Sequence, residues 1–127
     1  MSHDRTIDEL MSDLLITASP DDEIAAIRSR MHDTGVHCVP VLDGDGHPLG
    51  VISSWDLVEE SSAGARASTV MTKDVISVTA DITVATAASE MIVNFVHHLV
   101  VVDEHMHVIG VLSSFDLLGE VADPGSD

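Results

Sequence analysis

The fold of this chain is decided by the stretch GVISSWDL at residues 50–57, which recurs as GVLSSFDL at residues 110–117. Each copy begins with a glycine and two apolar residues, and an aspartate follows three positions after the first serine. A serine followed three positions later by an acid is typical of the capping box that starts a helix, and the apolar residues before it are typical of a strand. We therefore predict a strand that runs directly into a helix at both places.

The serine and aspartate of this stretch can serve in two ways. In a capping box, the hydroxyl and the carboxylate satisfy backbone amides at the helix N-terminus. The same N-terminus also presents a positive dipole end that suits a phosphate, and a nearby carboxylate suits ribose hydroxyls. The spacing alone favours the cap and leaves the ligand role open.

The two stretches belong to a longer internal repeat. A shift of 60 residues aligns residues 11–60 with residues 71–120 without a gap, and 18 of the 50 aligned positions are identical, which indicates a duplicated unit. A unit of about 50 residues leaves an apolar face uncovered, which a second like unit can cover about a pseudo-twofold axis. We expect two equivalent grooves between the copies, which are natural sites for small ligands.

Each copy is predicted to fold as strand, helix, strand, strand, helix, which gives an α+β class. Ser19, Pro20 and the acids after them predict a helix start, and Gly35 is placed to end that helix. The predicted elements of the first copy are strands at 15–18, 36–42 and 49–53, a helix from about 19 to 34, a turn at 43–46 and a last helix to 60. Those of the second copy are strands at 75–78, 96–102 and 108–112, a helix at about 81–94 and a last helix to about 121. Residues 61–68 are predicted to form a linker, and residues 123–127 a frayed tail.

The composition excludes several classes of function. The chain has 127 residues with 22 acidic and 5 basic side chains, and its formal charge at pH 7 is −17. A chain this acidic cannot bind nucleic acid by neutralising phosphates. Residues 1–9 are polar and acidic, and no stretch has the roughly 18 apolar residues of a membrane span, so we expect no membrane contact and a cytoplasmic location. The charge is compatible with a halophilic, salt-rich cytoplasm that screens self-repulsion.

Patterns for catalysis and metal binding are weak. Cys38 is the only cysteine, so the chain has no internal disulfide and no cysteine ligand set. The chain has eight histidines, and those of the hairpin spread over two strand faces and a turn without cysteine partners, so we expect no metal site. No nucleophile has a base placed beside it, and no glycine loop suits a phosphate, so we expect the protein not to be an enzyme.

A tandem of roughly 60-residue βαββα units, each closing on Gly-apolar-apolar-Ser-x-x-Asp-Leu, closely resembles the CBS domain pair, or Bateman module. Matching features are Met11 and Met71 before the first strands, the helix starts at 19–21 and 79–81, and Val-Pro-Val at 39–41. The resemblance implies a stand-alone tandem with repeat 1 at residues 7–62 and repeat 2 at residues 68–122, packed about a pseudo-twofold axis.

The resemblance also implies a function and a set of site residues. It implies a non-catalytic regulatory module that binds AMP, ADP, ATP or S-adenosylmethionine between the repeats, forms a homodimer and acts on an unidentified protein. By the family pattern, Asp56 and Asp116 hold ribose hydroxyls, and Ser53 and Ser113 lie near the ribose and phosphates. The residues expected to enclose the base are Thr17, Ala18, Val36, His37, Cys38, Val39, Pro40, Ser77, Val78, Val96, His97 and His98.

The chain departs from this family pattern in its charge. Ser54-Trp55 and Ser114-Phe115 stand where many nucleotide-binding members carry a lysine or arginine. Polyphosphates are therefore disfavoured, and AMP or S-adenosylmethionine is expected over ATP. The alternative is a structural dimerisation or adaptor module without a nucleotide ligand, in which the serines and aspartates only cap helices. In both cases Trp55 and Phe115 are expected to anchor an interface between subunits.

Overall fold

The computed structural model describes residues 5–11, 14–59 and 64–122. Residues 61–63 of the predicted linker and the predicted tail at 123–127 lie outside these ranges. In chain order the elements are a 3-10 turn at Ile7–Glu9, α1 (Ile24–Thr34), β1 (Cys38–Leu42), β2 (Pro48–Ser53), α2 (Ser54–Glu59), α3 (Ala67–Val70), β3 (Ser77–Thr79), α4 (Val84–Asn94), β4 (His98–Val102), β5 (Val108–Ser113) and α5 (Ser114–Ala122).

The strands form two small sheets, as the predicted α+β class requires. β1 and β2 pair as an antiparallel hairpin, and β4 and β5 do the same in the second repeat. β3 lies parallel to β4 and gives the second sheet a third strand. Both hairpins shift register at the equivalent place, between Val41 and Leu42 and between Val101 and Val102. The duplication in the sequence is therefore a duplication of backbone geometry as well.

The strand predicted at residues 15–18 is wrong in extent, because only Ala18 pairs. Its N–H donates to the carbonyl of Pro40 at 3.0 Å, and its carbonyl accepts from the N–H of Leu42 at 2.8 Å. The chain turns immediately afterwards, where the Asp22 N–H donates to the Ser19 carbonyl. Pro20 has no N–H with which to extend the pairing. In the second repeat, where alanine replaces this proline, β3 is a true strand.

The predicted starts of the two long helices are also wrong by about three to five residues. Ser19 and Pro20 form the turn, and α1 begins only at Ile24, after Glu23 in extended conformation. Glu23 forms a bridge with Arg66, and the Ile24 N–H donates to the carbonyl of Ala65 at 2.9 Å. This pairing holds Glu23 in extended conformation, and so the helix begins only after it.

The start of α4 is held in the same way by the segment that precedes the first repeat. Thr83 forms a bridge with Thr6, and the Val84 N–H donates to the carbonyl of Arg5 at 2.8 Å. Thr83 is also the N-cap, and its hydroxyl oxygen accepts from the Thr86 N–H at 3.2 Å. Each repeat is thus completed by the segment that precedes the other repeat.

The two hydrophobic cores show the same exchange. Ile7, the first residue of the first repeat, is fully buried in the core of the second repeat with Met91 and Leu99. Ala67, which falls in the predicted linker, belongs to α3 and is buried in the first core with Ile24. The segment between the repeats is therefore a packed part of the fold from at least Ala65 onward.

Gly50, the first residue of the stretch at residues 50–57, allows the start of the second repeat to pack closely against the first repeat. A Cβ atom there would lie 2.8 Å from the Met71 sulfur and 2.8 Å from the Thr72 carbonyl oxygen. Val51 and Thr72 exchange two backbone hydrogen bonds of 3.0 and 2.8 Å, so this backbone cannot move away. Gly110 packs in the same manner against Met11. The opening methionine of each repeat therefore covers the glycine of the other.

The two long helices end differently. Gly35 follows α1 in the left-handed conformation at φ 79°, as the sequence predicts. Phe95 takes the equivalent position after α4, with φ 55°, and 93% of its surface is exposed. A left-handed residue with a side chain is strained by roughly 1–2 kcal/mol.

We expect Phe95→Gly to stabilise the chain by about 1 kcal/mol, because it removes this strain and little buried surface. Phe95→Ala is the matched control, since it removes the ring and keeps a Cβ atom in the left-handed region. Urea denaturation of the three proteins measures the difference. Equal stability of the glycine and alanine variants would contradict the strain argument.

Within the described residues, no helix has the length and apolar character that crossing a bilayer demands.

Candidate ligand site between the repeats

The strand–helix corners form the predicted capping boxes. At the first corner, Asp56 Oδ2 accepts from the Ser53 N–H at 2.7 Å and from the Ser53 hydroxyl at 3.1 Å. The Asp56 N–H in turn donates to Ser53 Oγ at 3.4 Å. Ser113 and Asp116 repeat the arrangement with distances of 2.8, 3.1 and 3.3 Å. The two bonds that each carboxylate accepts both use Oδ2, so the cap holds the carboxylate in place and leaves Oδ1 for other contacts.

A cavity of about 730 Å³, which we call the central cavity, lies beside the first corner. Both repeats contribute to its wall, and its size falls within the usual range for small-molecule sites. The rings of His37 and Phe115, from different repeats, lie 6.5 Å apart. The lining residues are His37, Val51, Ser53, Ser54, Trp55, Asp56, Thr72, Phe95, Val96, His97, His98, Ser114, Phe115 and Leu118.

The structure brings six of the residues named from the sequence to this cavity. They come from the first corner, from the start of β1 and from the segment between α4 and β4, and they are Ser53, Asp56, His37, Val96, His97 and His98. The cavity therefore combines the capped aspartate of one repeat with the segment before β4 of the other.

The other named residues lie elsewhere. Val36 lines a cavity of about 390 Å³ beside α1, and Ser77 lines one of about 490 Å³ near the hairpin turns. Ser113 and Asp116 form their own cap and are not among the lining residues. Thr17 and Val78 are partly buried and also outside the lining, whereas four residues are buried: Ala18, Cys38, Val39 and Pro40. Burial raises the pKa of the Cys38 thiol to about 12, which makes it unreactive.

Three aromatic side chains of the cavity wall were not named as ligand contacts from the sequence. Trp55 and Phe115, expected only as interface anchors, are 77% and 70% exposed, and Phe95 is more exposed still. The repeat alignment contains a signal for Phe95, because it replaces the helix-ending glycine of the first copy. An aromatic residue retained at a strained position is a pointer to a functional role.

The charges around the central cavity are unusual for a nucleotide site. Asp56 is acidic, and within the described part of the chain no lysine or arginine lines the cavity. Burial lowers the pKa of His98, and the neighbouring imidazoles of His97 and His37 lower it further, while the carboxylates of Asp116 and Asp56 oppose this shift. His98 is therefore neutral at pH 7, and the cavity provides no fixed positive charge to a phosphate.

Comparison with known proteins decides the family. The model of the CBS domain matches residues 7–63 and again residues 67–123. This chain belongs to the CBS domain family. The tandem arrangement makes it a CBS domain pair, as the sequence predicted.

The relatives of this CBS domain pair include much longer enzymes. A homoserine O-acetyltransferase from Methanosphaerula palustris is 34% identical over 110 residues, which are 83% of this chain and 22% of the relative. The chain thus corresponds to the CBS part of such proteins and spans about a fifth of their length.

Solved structures have the same fold. The CBS domain pair of protein MJ0100, in complex with 5′-methylthioadenosine and S-adenosyl-L-methionine, is 23% identical, with a TM-score of 0.86 over 97% of this chain and 98% of that chain. The protein CBSX2, in complex with AMP, is 20% identical, with a TM-score of 0.76 over 92% of this chain and 96% of that chain. The α+β fold of two CBS repeats is therefore confirmed.

Proposed function

We propose that this CBS domain pair is a non-catalytic regulatory module that binds an adenosine-containing ligand in the central cavity. The observation that carries the proposal is the meeting of a capped aspartate from one repeat with aromatic and imidazole side chains from the other. Solved CBS domain pairs in complex with S-adenosylmethionine, 5′-methylthioadenosine and AMP support the ligand class. A cytoplasmic location and an unidentified regulated protein are part of the same proposal.

Each part of the ligand has a proposed partner. Asp56 Oδ1 accepts hydrogen bonds from the ribose hydroxyls, because Oδ2 is held by Ser53. The rings of Trp55, Phe95 and Phe115 offer flat apolar surface to the base. Hydrogen bonds to a carboxylate and contacts with aromatic rings both suit a nucleoside.

The second capping box is the proposed counterpart in a second groove. Asp116 and Ser113 have the same geometry as the first corner, and Ser77 and Val78 belong to the matching strand. Val36 and His37, before β1, are proposed to stand opposite that corner by the symmetry of the duplication. Alanine substitutions of Asp56 and Asp116 test whether the ligand occupies one groove or both.

The charges favour particular adenosine ligands. Among the residues that the structure describes, the wall of the central cavity contains the Asp56 carboxylate and no lysine or arginine. The formal charge of the whole chain is −17. A triphosphate therefore meets repulsion, whereas a neutral or cationic group does not. We propose S-adenosylmethionine or AMP as the ligand rather than ATP.

The exposed aromatic rings also support a homodimer. Trp55, Phe95 and Phe115 are each at least 70% exposed and lie around one cavity. Clustered apolar surface of this kind marks interaction sites, and aromatic side chains are enriched among interface anchors. The same observation favours the second candidate function, a structural dimerisation or adaptor module without a nucleotide ligand.

Thermal unfolding with added ligands tests the two candidates. We expect S-adenosylmethionine or AMP to raise the unfolding temperature, because a ligand at about 100 times its dissociation constant adds roughly 2.7 kcal/mol of stability. Scans at low and high KCl with each compound, with 5′-methylthioadenosine and with ATP measure this. A larger shift with ATP would contradict the charge argument. No shift with any of them at either salt would favour the adaptor.

A further inference from the structure

The turns of the two hairpins, residues 43–47 and 103–107, lie side by side. The Val108 N–H donates to the carbonyl of Gly46 at 3.2 Å, which links the second hairpin to the first. A Cβ atom on Gly46 would lie 3.4 Å from the His107 ring, so glycine allows this approach. Chain segments that are 60 residues apart in sequence therefore form one surface.

Each turn is organised by its first aspartate. Asp43 Oδ1 accepts from the N–H groups of Asp45 and His47 at 2.9 and 3.0 Å. These bonds lower the pKa of Asp43, most of all the bond from His47. Asp103 accepts the equivalent bonds in the second turn, and its pKa is lowered in the same way. Both carboxylates are ionised at neutral pH.

Imidazole side chains meet between the turns. The rings of His47 and His107 are stacked with centroids 5.4 Å apart and an interplanar angle of 14°. His105 lies next to them, 6.1 Å from His107. His47 Nδ1 lies 3.7 Å from Asp43 Oδ2, and His107 Nδ1 lies 3.5 Å from Asp103 Oδ2. A carboxylate beside an imidazole increases its strength as a metal ligand.

The first turn also has the spacing of a coordination site. Asp43, Asp45 and His47 each offer one ligand atom, and these atoms lie within 4.8 Å of one another. Tetrahedral metal bonds of about 2.1 Å place ligand atoms about 3.4 Å apart, so the ligand atoms need to move closer together by at most about 1.4 Å. His47 and Asp43 have 43% and 35% of their side-chain surface exposed, which leaves room for this movement.

We propose that the paired turns bind one divalent transition-metal ion, with Asp43, Asp45 and His47 from the first turn as ligands. His107 from the second turn completes the site after its ring rotates out of the stack with His47. Imidazole and carboxylate together suit Zn²⁺, Ni²⁺ or Cu²⁺, whereas Mg²⁺ and Ca²⁺ prefer oxygen ligands alone. The site is independent of the proposed adenosine ligand. No metal site was expected from the sequence, in which the meeting of His47 with His107 is not visible.

The surrounding charges favour a cation. The acidic groups near the histidines are Asp43, Asp45, Asp103 and Glu104, the last of which lies 3.7 Å from His105. Lys73 opposes them, since it lines a cavity of about 490 Å³ together with His47 and His105. The carboxylates outnumber this ammonium, and the cavity gives an ion access from solvent.

Calorimetric titration of the full chain with ZnCl₂, NiCl₂ and MgCl₂ tests the proposal. We expect about one equivalent of Zn²⁺ or Ni²⁺ to bind, and the His47→Gln/His107→Gln variant to bind it at least about 100-fold more weakly. His32→Gln is the matched control, because His32 lies 3.6 Å from Asp33 on an exposed face of α1. This control is expected to bind the metal like the unchanged protein.

Thermal unfolding gives a second readout, because an ion held by both turns connects the repeats. Zn²⁺ is expected to raise the unfolding temperature of the unchanged chain and of the His32 control, but not that of the double variant. Unfolding scans without metal show whether the double variant is folded. Absence of Zn²⁺ and Ni²⁺ binding, or binding that survives the double substitution, would overturn the proposal, and so would equal binding of Mg²⁺.

Discussion

Replacing Ile7 with alanine is expected to destabilise the chain by about 2–5 kcal/mol. Ile7 is fully buried in the second core, where it packs with Met91 and Leu99, although it begins the first repeat. Alanine leaves a cavity in this core. The leading segment, which contains Ile7 and Asp8, is also held there by two backbone hydrogen bonds, from the Ile7 N–H to the Ile82 carbonyl and from the Asp8 N–H to the Ala80 carbonyl. Urea denaturation followed by circular dichroism measures the loss.

The matched control for this substitution is Ile109→Ala. Ile109 lies on β5, and 41% of its surface is exposed, so its truncation is expected to cost less than about 1 kcal/mol. If the two variants lost the same stability, the leading segment would not be part of the second core. The conclusion that each repeat is completed by a segment of the other would then be wrong.

Replacing Asp56 with alanine is expected to weaken adenosine-ligand binding by about 100-fold. The carboxylate is proposed to accept two hydrogen bonds from ribose hydroxyls, each worth roughly 1.5 kcal/mol, and 1.4 kcal/mol corresponds to a tenfold change in affinity. The substitution also removes the bonds to Ser53 and is expected to cost about 1 kcal/mol of cap stability. Titration calorimetry with S-adenosylmethionine and AMP measures the binding, and urea denaturation measures the stability.

Thr83→Ala separates the loss of a cap from the loss of the ligand. Thr83 caps α4 through its bond from Thr86, and it does not line the central cavity. The control is therefore expected to lose similar stability and to keep its affinity. If the unchanged protein binds one of these compounds and Asp56→Ala binds it equally well, the proposed ribose contact is wrong.

The Asp116→Ala variant decides how many grooves bind the ligand. It removes the same set of cap bonds from the second corner. Halved stoichiometry with either single variant, and complete loss in the Asp56→Ala/Asp116→Ala double variant, would show two occupied grooves. Unchanged stoichiometry with Asp116→Ala would place the ligand at the first corner alone.

Local chemistry made several parts of the structure predictable. The capping boxes follow from a serine and an aspartate three residues apart, and Gly35 ends α1 because it has no Cβ atom to oppose the left-handed conformation. The hairpins form near the predicted bounds, since apolar strands flank a turn whose first aspartate bonds the backbone. In each case the interacting residues are close in sequence.

Local sequence patterns did not predict where the long helices begin. Ser19 and Pro20 are good residues for starting a helix, yet they form a turn because Glu23 pairs with Arg66. No local pattern around Ser19 contains information about Arg66. The same holds for the predicted linker, in which Ala67 is buried by contacts with the first repeat.

The sequence by itself determined the duplication, the order of elements in each repeat and the capped aspartates, because periodicity, turn chemistry and capping act over a few residues. Only the tertiary structure decided which segments meet. It placed Ile7 in the second core, Phe95 and Asp56 around one cavity, and His47 against His107. These contacts join residues that are far apart in the chain, and they depend on how two incomplete repeats bury their apolar faces against each other.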